Sequence, residues 1–561
     1  MPWHSNFPRI GLILLLCCSL IEASLCPPTI QAPCTCTSTK YQTLSVVCDK
    51  AASLANVLES VQVPDMVIEK LIISNTPIEE LPALAFSDLK IRRLSFRNNG
   101  MFTINPDAFE GWLAENLEEL EIRSNYLDHI PQVGLTKLTS LKILSLSDNL
   151  IREISDNAFL SYLSRTAITN LDLSANNLAE LPVQAFLGLE SLKQLSLDKN
   201  SFKHIPSTAL ENVPSLEELN LSVNQIEYVG ENSLPLPLLK SLSLEVNQIR
   251  EIEPETFETV PQLTYLYIGN NLFANINPDT FYYLKQLKVL SMSNNKDISE
   301  IKLDSFQYLP MLIRLEMSDC SLTNIVPQAL HKFSKIQVLV LSRNQLTGIA
   351  ASTFSALSEL ITVDLSSNSI YNVEDFAFSQ LPSLEHMDLS GNRLENLPAH
   401  IFYESFVHKK SPRHRTLFLN NNPWKCDTRL QWLRKFVREN GDILTSLPGT
   451  QDARCWSPAT LRGLDIRQTD PVLPAGVSQN GPKEMRKYAT KPPPTLYGQP
   501  LEASSTKATT QQLDVSQANL LMLVVGIIFG FVALAAIVII ATTYIKPRFE
   551  KKVISKRGVG G

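Results

Sequence analysis

The sequence predicts an α/β solenoid of about 15 stacked units, with a parallel sheet on its concave side. Three observations predict it. From Ile68 to Asn422 one frame recurs. Leu216, Leu219, Leu221, Asn224 and Ile226 spell it, as do Leu192/Leu195/Leu197/Asn200/Phe202 and Leu239/Leu242/Leu244/Asn247/Ile249. The frame's Asn position runs through Thr76, Asn99, Asn125, Asn149, Asn176, Asn200, Asn224, Asn247, Asn271, Asn295, Cys320, Asn344, Asn368, Asn392 and Asn422, and eight of the fourteen spacings are 24 residues. An aromatic also recurs in the second half of the units, at Phe86, Phe109, Phe159, Phe186 and Phe378, each after Ala, and at Phe257, Phe281, Phe306, Phe354 and Phe402.

A repeat of this period and frame is the signature of a leucine-rich repeat array. The LxLxx core reads as a short strand, its leucines on one face and its variable residues on the other. No unit can bury its own leucines, so neighbours stack into one sheet over a shared core. At the Asn position the chain turns, and a side-chain amide can satisfy the backbone groups left there. Repeated once per unit, those amides predict a ladder. The recurring Phe predicts a buried spine under the convex side. Thr76 breaks the Asn rule in the first unit, where capping repeats are atypical. Cys320 breaks it mid-array and reads as a buried, inert thiol.

Residues 1–23 read as a signal peptide: Arg9 precedes an apolar run, Ile10 to Leu20, too short to span a bilayer. Residues 24–67 form a cysteine-rich N-terminal cap, with Cys26, Cys34, Cys36 and Cys48 clustered before the first repeat. Zinc uses similar ligands, but secretion favours disulfides. Spacing alone leaves three pairings open. The region resembles the cysteine-rich N-flank of extracellular leucine-rich repeat proteins. That resemblance implies Cys26–Cys36 and Cys34–Cys48.

The repeats occupy 68–422. The last interval is stretched by a basic loop, Phe406 to Arg415, carrying His408 and His414. Residues 423–470 read as a C-terminal cap. Asn421-Asn-Pro-Trp-Lys-Cys426 resembles the C-flank motif of the same family, and Leu430 to Phe436 reads as an amphipathic helix over the last repeat. The family's second cysteine is replaced here by Thr428, and only Cys455 lies downstream. The resemblance then implies one bridge, Cys426–Cys455.

Residues 471–517 lose the periodicity and read as a Pro-, Ser- and Thr-rich stalk. Residues 518–545 hold an apolar run, Leu520 to Ala541, long enough to cross a bilayer. The last segment, 546–561, is short and basic, which predicts a cytoplasmic tail and a single-pass type I protein at the plasma membrane. Gly526 and Gly530 form a GxxxG pair through which two such helices can dimerise. The net charge is −6 while the tail is strongly positive, so the remainder is acidic and nucleic acid is excluded as the repeats' partner. Asn220-Leu-Ser222 is an N-glycosylation sequon.

No catalytic constellation, phosphate loop or metal motif of recognised spacing occurs, so the sequence predicts neither an enzyme nor a cofactor. The whole chain resembles transmembrane proteins of nematodes and insects whose only ectodomain is leucine-rich repeats. That resemblance implies binding of protein or matrix partners in cell adhesion and in epithelial or developmental morphogenesis. Two alternatives are an organiser of apical extracellular matrix and a co-receptor signalling through a separate partner. On the variable face, Tyr265 with Tyr267 and Arg97 with Arg123 are the candidate partner-binding residues. Arg92 and Arg93 are expected to pair with Glu118 and Glu119.

Overall fold

The computed structural model describes residues 26–39, 42–63, 66–156, 158–159, 168–402, 405, 415–439 and 452–469. The signal peptide, the basic loop around His408, the stalk, the apolar run with Gly526 and Gly530, and the basic tail lie outside the described residues. Among the described residues no helix is long and apolar enough to cross a membrane.

One sheet of seventeen strands organises the described chain. Its first two strands, Cys34–Thr39 and Gln42–Asp49, are an antiparallel hairpin. The second also pairs in parallel with the first coil, Ser45 opposite Lys70. This hairpin therefore covers the open edge that the first repeat would otherwise expose. The other fifteen strands are parallel and follow chain order, from Lys70–Ser74 to Thr416–Phe418. Register is set by the leucines: Leu195, Leu219, Leu242 and Leu266 lie side by side across four consecutive coils. All four are buried. Each such side chain contributes about 2 kcal/mol by leaving water.

The turn after each strand follows one rule. The residue before each ladder position has a positive φ, from Asn75 at 50° to Asn421 at 55°. The ladder Asn then bonds to the coil before it. Asn247 donates to Leu221 O at 3.0 Å and to its own coil's Leu244 O at 3.0 Å, and accepts from Ile226 N at 3.0 Å. Asn224 and Asn271 repeat the pattern one coil away on either side. The two exceptions behave differently. Thr76 accepts from Ala51 N at 3.2 Å, so its hydroxyl replaces the amide oxygen toward the cap. Cys320 donates weakly to Met292 O at 3.3 Å. Its thiol is free and buried, and burial pushes it up to about 11, so it is neutral and unreactive at physiological pH.

On the opposite side of the core the phenylalanines form the spine. Phe281, Phe306 and Phe333 succeed one another at 6.0 and 5.5 Å between centroids, and Phe354, Phe378 and Phe402 at 5.3 and 6.4 Å. The C-terminal cap continues it. A helix over Gln431–Glu439 buries Leu433 and Val437, and its Phe436 packs 5.5 Å from Phe402. Trp432 donates from Nε1 to Leu397 O at 2.8 Å. Disulfides Cys26–Cys36, Cys34–Cys48 and Cys426–Cys455 close the two caps.

Replacing one ladder amide strands several buried backbone groups at once. Asn247→Ala should lower the unfolding free energy by about 3 kcal/mol, read as a reduced urea midpoint of the full-length chain.

Candidate functional site

The outward positions of the strands decide what the sheet face offers. In the first three coils they are mostly long and charged, with Lys70, Arg93, Arg97, Glu119, Glu121 and Arg123. In coils four to eight they are mostly short, with Ser145, Asp172, Ser196, Asn220, Ser241 and Ser243 on successive strands. The ninth strand, Tyr265–Tyr267, then carries two rings. Long side chains at both ends and short ones between leave a trough of about 620 Å³, lined from Lys70, Arg97 and Arg123 across to Tyr267. With strands about 4.8 Å apart, its floor is roughly 29 Å long from the third coil to the ninth.

The charged end is an ion-pair network. Lys70 reaches Glu119 at 3.1 Å, and Arg93 lies between Glu69 at 3.4 Å and Glu119 at 3.7 Å. Arg92 does not pair with Glu118. It leans back to Glu69 at 4.0 Å, while Glu118 takes Lys142 at 3.2 Å. These four residues form one lateral column, in which Arg92 has a carboxylate on either side to choose from. Arg97 and Arg123 are in register, but they are not a matched pair of free cations. Arg97 is held by Glu121 at 2.7 Å, and Ser95 donates to the same carboxylate oxygen at 2.7 Å. Burial acts to raise the Glu121 carboxyl, yet the Arg97 and Ser95 hydrogen bonds hold it below the usual range. Arg123 is exposed and has no side-chain partner among the described residues.

At the aromatic end, Tyr265 is 40% exposed and Tyr267 is half-buried. Their lateral neighbours are Ser241 and Ser243 on one side and Val289 and Ser291 on the other. Burial raises the Tyr267 hydroxyl, as do nearby Tyr265, Glu316 and Glu245. Glu245, which sequence reasoning passed over, lies over Gly269: its Oε1 is 3.1 Å from where a Cβ on that glycine would stand. The one available signal was Gly269 itself, a glycine two residues beyond the end of the Tyr265–Tyr267 strand.

Asn220 sits at mid-floor. Its Oδ1 accepts from Ser222 N at 3.0 Å and its Nδ2 donates to Asp198 at 3.2 Å. The first of these bonds is shared by other coils, where Asp172, Asp364 and Asp388 accept from Ser174, Ser366 and Ser390 at 3.0, 2.9 and 2.8 Å. The sequon thus coincides with a structural turn position. Among the described residues no group of three His, Cys, Asp or Glu side chains is placed to hold a metal ion.

The leucine rich repeat family model matches residues 115–162, 166–226, 237–296, 288–346 and 334–394. The solenoid is a leucine-rich repeat array. Chondroadherin of Rattus norvegicus is 47% identical over 55 residues, 10% of this chain and 13% of that protein. Nyctalopin of Mus musculus is 38% identical over 52 residues, 9% of this chain and 10% of that protein. The chain thus spans only about a tenth to an eighth of the length of the curated relatives it matches. Among solved structures, a leucine-rich repeat protein of Leptospira interrogans has a TM-score of 0.56 at 23% identity, covering 70% of this chain and 92% of that one. Mouse RP105, solved with MD-1, gives 0.57 at 20%, over 76% and 66%. Toll of Drosophila, solved with Spatzle, gives 0.54 at 18%, over 78% and 72%. These likenesses are of fold.

The Arg97–Glu121 pair gives the charged end a pH signature. A carboxyl held low in the folded state stabilises above its unfolded value, and the contribution disappears as pH falls through its folded value. Arg97 is 42% exposed, so the pair contributes only about 0.5–1 kcal/mol. Glu121→Gln should lower the melting temperature at pH 7 and leave it unchanged well below pH 4.

Proposed function

We propose that this chain is a cell-surface binding protein whose repeat sheet face captures an extracellular protein or matrix partner. The observation that carries this reading is the trough: a floor of mostly short polar side chains that ends at Tyr267, with the exposed Tyr265 beside it on the same strand. Exposed rings beside small neighbours are the kind of anchor on which binding energy concentrates. Two solved structures of similar fold are complexes, RP105 with MD-1 and Toll with Spatzle, which supports a protein partner. The three disulfides support an oxidising, extracellular setting. Roles in adhesion or morphogenesis, and anchoring through residues 518–545, belong to the same proposal. Arg123 is the second contact, since no side chain among the described residues takes its charge.

A surface-interaction screen with the full-length chain should return a saturable protein partner. Tyr265→Ala with Tyr267→Ala should then weaken binding by about 2 kcal/mol or more, with the melting temperature retained. Full-strength binding by that double variant moves the site off the sheet face.

Asn220 carries an N-linked glycan in this reading. A glycan there stands in the middle of the floor and divides the arginine end from the tyrosine end. Digestion of the secreted or surface-expressed chain with an N-glycosidase should reduce its mass, and the shift should vanish in Asn220→Gln.

A further inference from the structure

The seventh to tenth coils hold three features that the trough does not require. The first is Glu245. Its carboxylate is half-buried, yet no hydrogen-bond donor or cation is recorded for it among the described residues. Glu316, three coils further along the face, is already taken by Arg314 within its own strand. Burial, followed by the charge of Glu316, raises the Glu245 carboxyl. A carboxylate kept partly out of water without a donor costs free energy that the chain does not recover internally.

The second feature is the space that Glu245 occupies. Gly269 has no left-handed backbone, so conformation does not demand glycine there. Room does: a Cβ would meet Ser293 O at 2.9 Å and Glu245 Oε1 at 3.1 Å. Beyond it, Ser291 is buried, so the floor stays low between Tyr267 and Glu316. The result is a notch with an aromatic wall and a carboxylate at its edge.

The third feature is independent of charge. In the positive-φ column before the ladder, the fifteen coils carry Asn, Ser, Asp, Ala, Lys, Arg or Gly, apart from two valines. Val223 and Val246 stand at φ 55° each, and a β-branched residue there is a steric outlier costing roughly 1–2 kcal/mol. Both are exposed, at 39% and 44%. They are neighbours in the stack, since Val223 N bonds to Glu245 O at 2.8 Å and Val246 N to Gly269 O at 3.0 Å. Two strained, exposed apolar residues therefore flank Glu245 along the backbone, Val246 following it in the chain and Val223 bonding to its carbonyl.

We propose that the notch of Glu245, Tyr267 and Gly269, with Val223 and Val246 on its rim, receives a basic side chain of a protein partner together with an adjacent aliphatic one. This rests on the sheet face being the binding surface, and it names the chemistry of what binds. An arginine or lysine supplies the donor that Glu245 lacks and lies against the Tyr267 ring, where a cation is attracted to the aromatic face. An aliphatic neighbour covers the two valines. An acidic or purely polar segment does neither, and Glu245 and Glu316 together repel it.

The test uses a random twelve-residue peptide library, displayed on phage and selected on the purified full-length chain. The selected peptides should share an Arg or Lys next to Leu, Ile or Val. A synthetic peptide of that sequence should bind Glu245→Gln about tenfold more weakly. Val246→Asn separates binding from folding, because Asn is at ease in the left-handed region. That variant should melt at a higher temperature and bind the peptide several-fold more weakly. Selected peptides with no basic residue in common overturn the inference, as does unchanged binding by Glu245→Gln. If the double tyrosine variant loses the peptide while Glu245→Gln and Val246→Asn keep it, the face reading stands and the notch falls. If all three variants bind normally, both fall.

Discussion

The buried amide at the turn of each coil is the interaction on which the rest depends. A strand of three to five residues cannot be followed by a tight turn unless the turn's backbone groups find partners. Here the next coil supplies them, through one side chain with both a donor and an acceptor. Asn is suited to this because the amide can donate to Leu221 O while accepting from Ile226 N, as Asn247 does. With the turn fixed, the strands lie in register. With the strands in register, the leucines form one core and the variable residues one face. The trough and its end walls are consequences of that order.

Most of this architecture was legible because it is periodic. The leucine frame gives inward and outward positions by counting, so Tyr265 and Tyr267 could be placed on the outer face beside serines from the sequence. The phenylalanine spine and the cap helix were legible for the same reason, since each follows from a repeated spacing or an amphipathic run. The pairing of the cap cysteines was not legible from spacing and came from resemblance to a family.

Side-chain direction was not legible. Register places Arg92 beside both Glu69 and Glu118, but the frame does not say toward which neighbour it leans. The same limit hid Glu245, whose number marks it as outward-facing but not as lying across Gly269 in the next coil. Arg97 and Arg123 looked alike in register, and only the Arg97–Glu121 contact separates a satisfied cation from a free one. Val223 and Val246 are unremarkable in sequence, and become unusual once the turn preceding every ladder position is known to require a positive φ.

The ladder also has a direction. Each amide completes the turn of the coil before it, and its own coil waits for the one after: Asn392 satisfies Ile370 N, and Asn422 satisfies Leu394 N. Beyond Asn422 the role passes to Trp424, whose indole donates to Leu419 O at 2.9 Å. A chain leaving the ribosome from its N-terminus therefore always carries one unfinished coil at its growing end. Completion travels with synthesis and is sealed by a tryptophan rather than an amide. The solenoid is in this sense polar, like a row of roof tiles in which each course holds down the one laid before it.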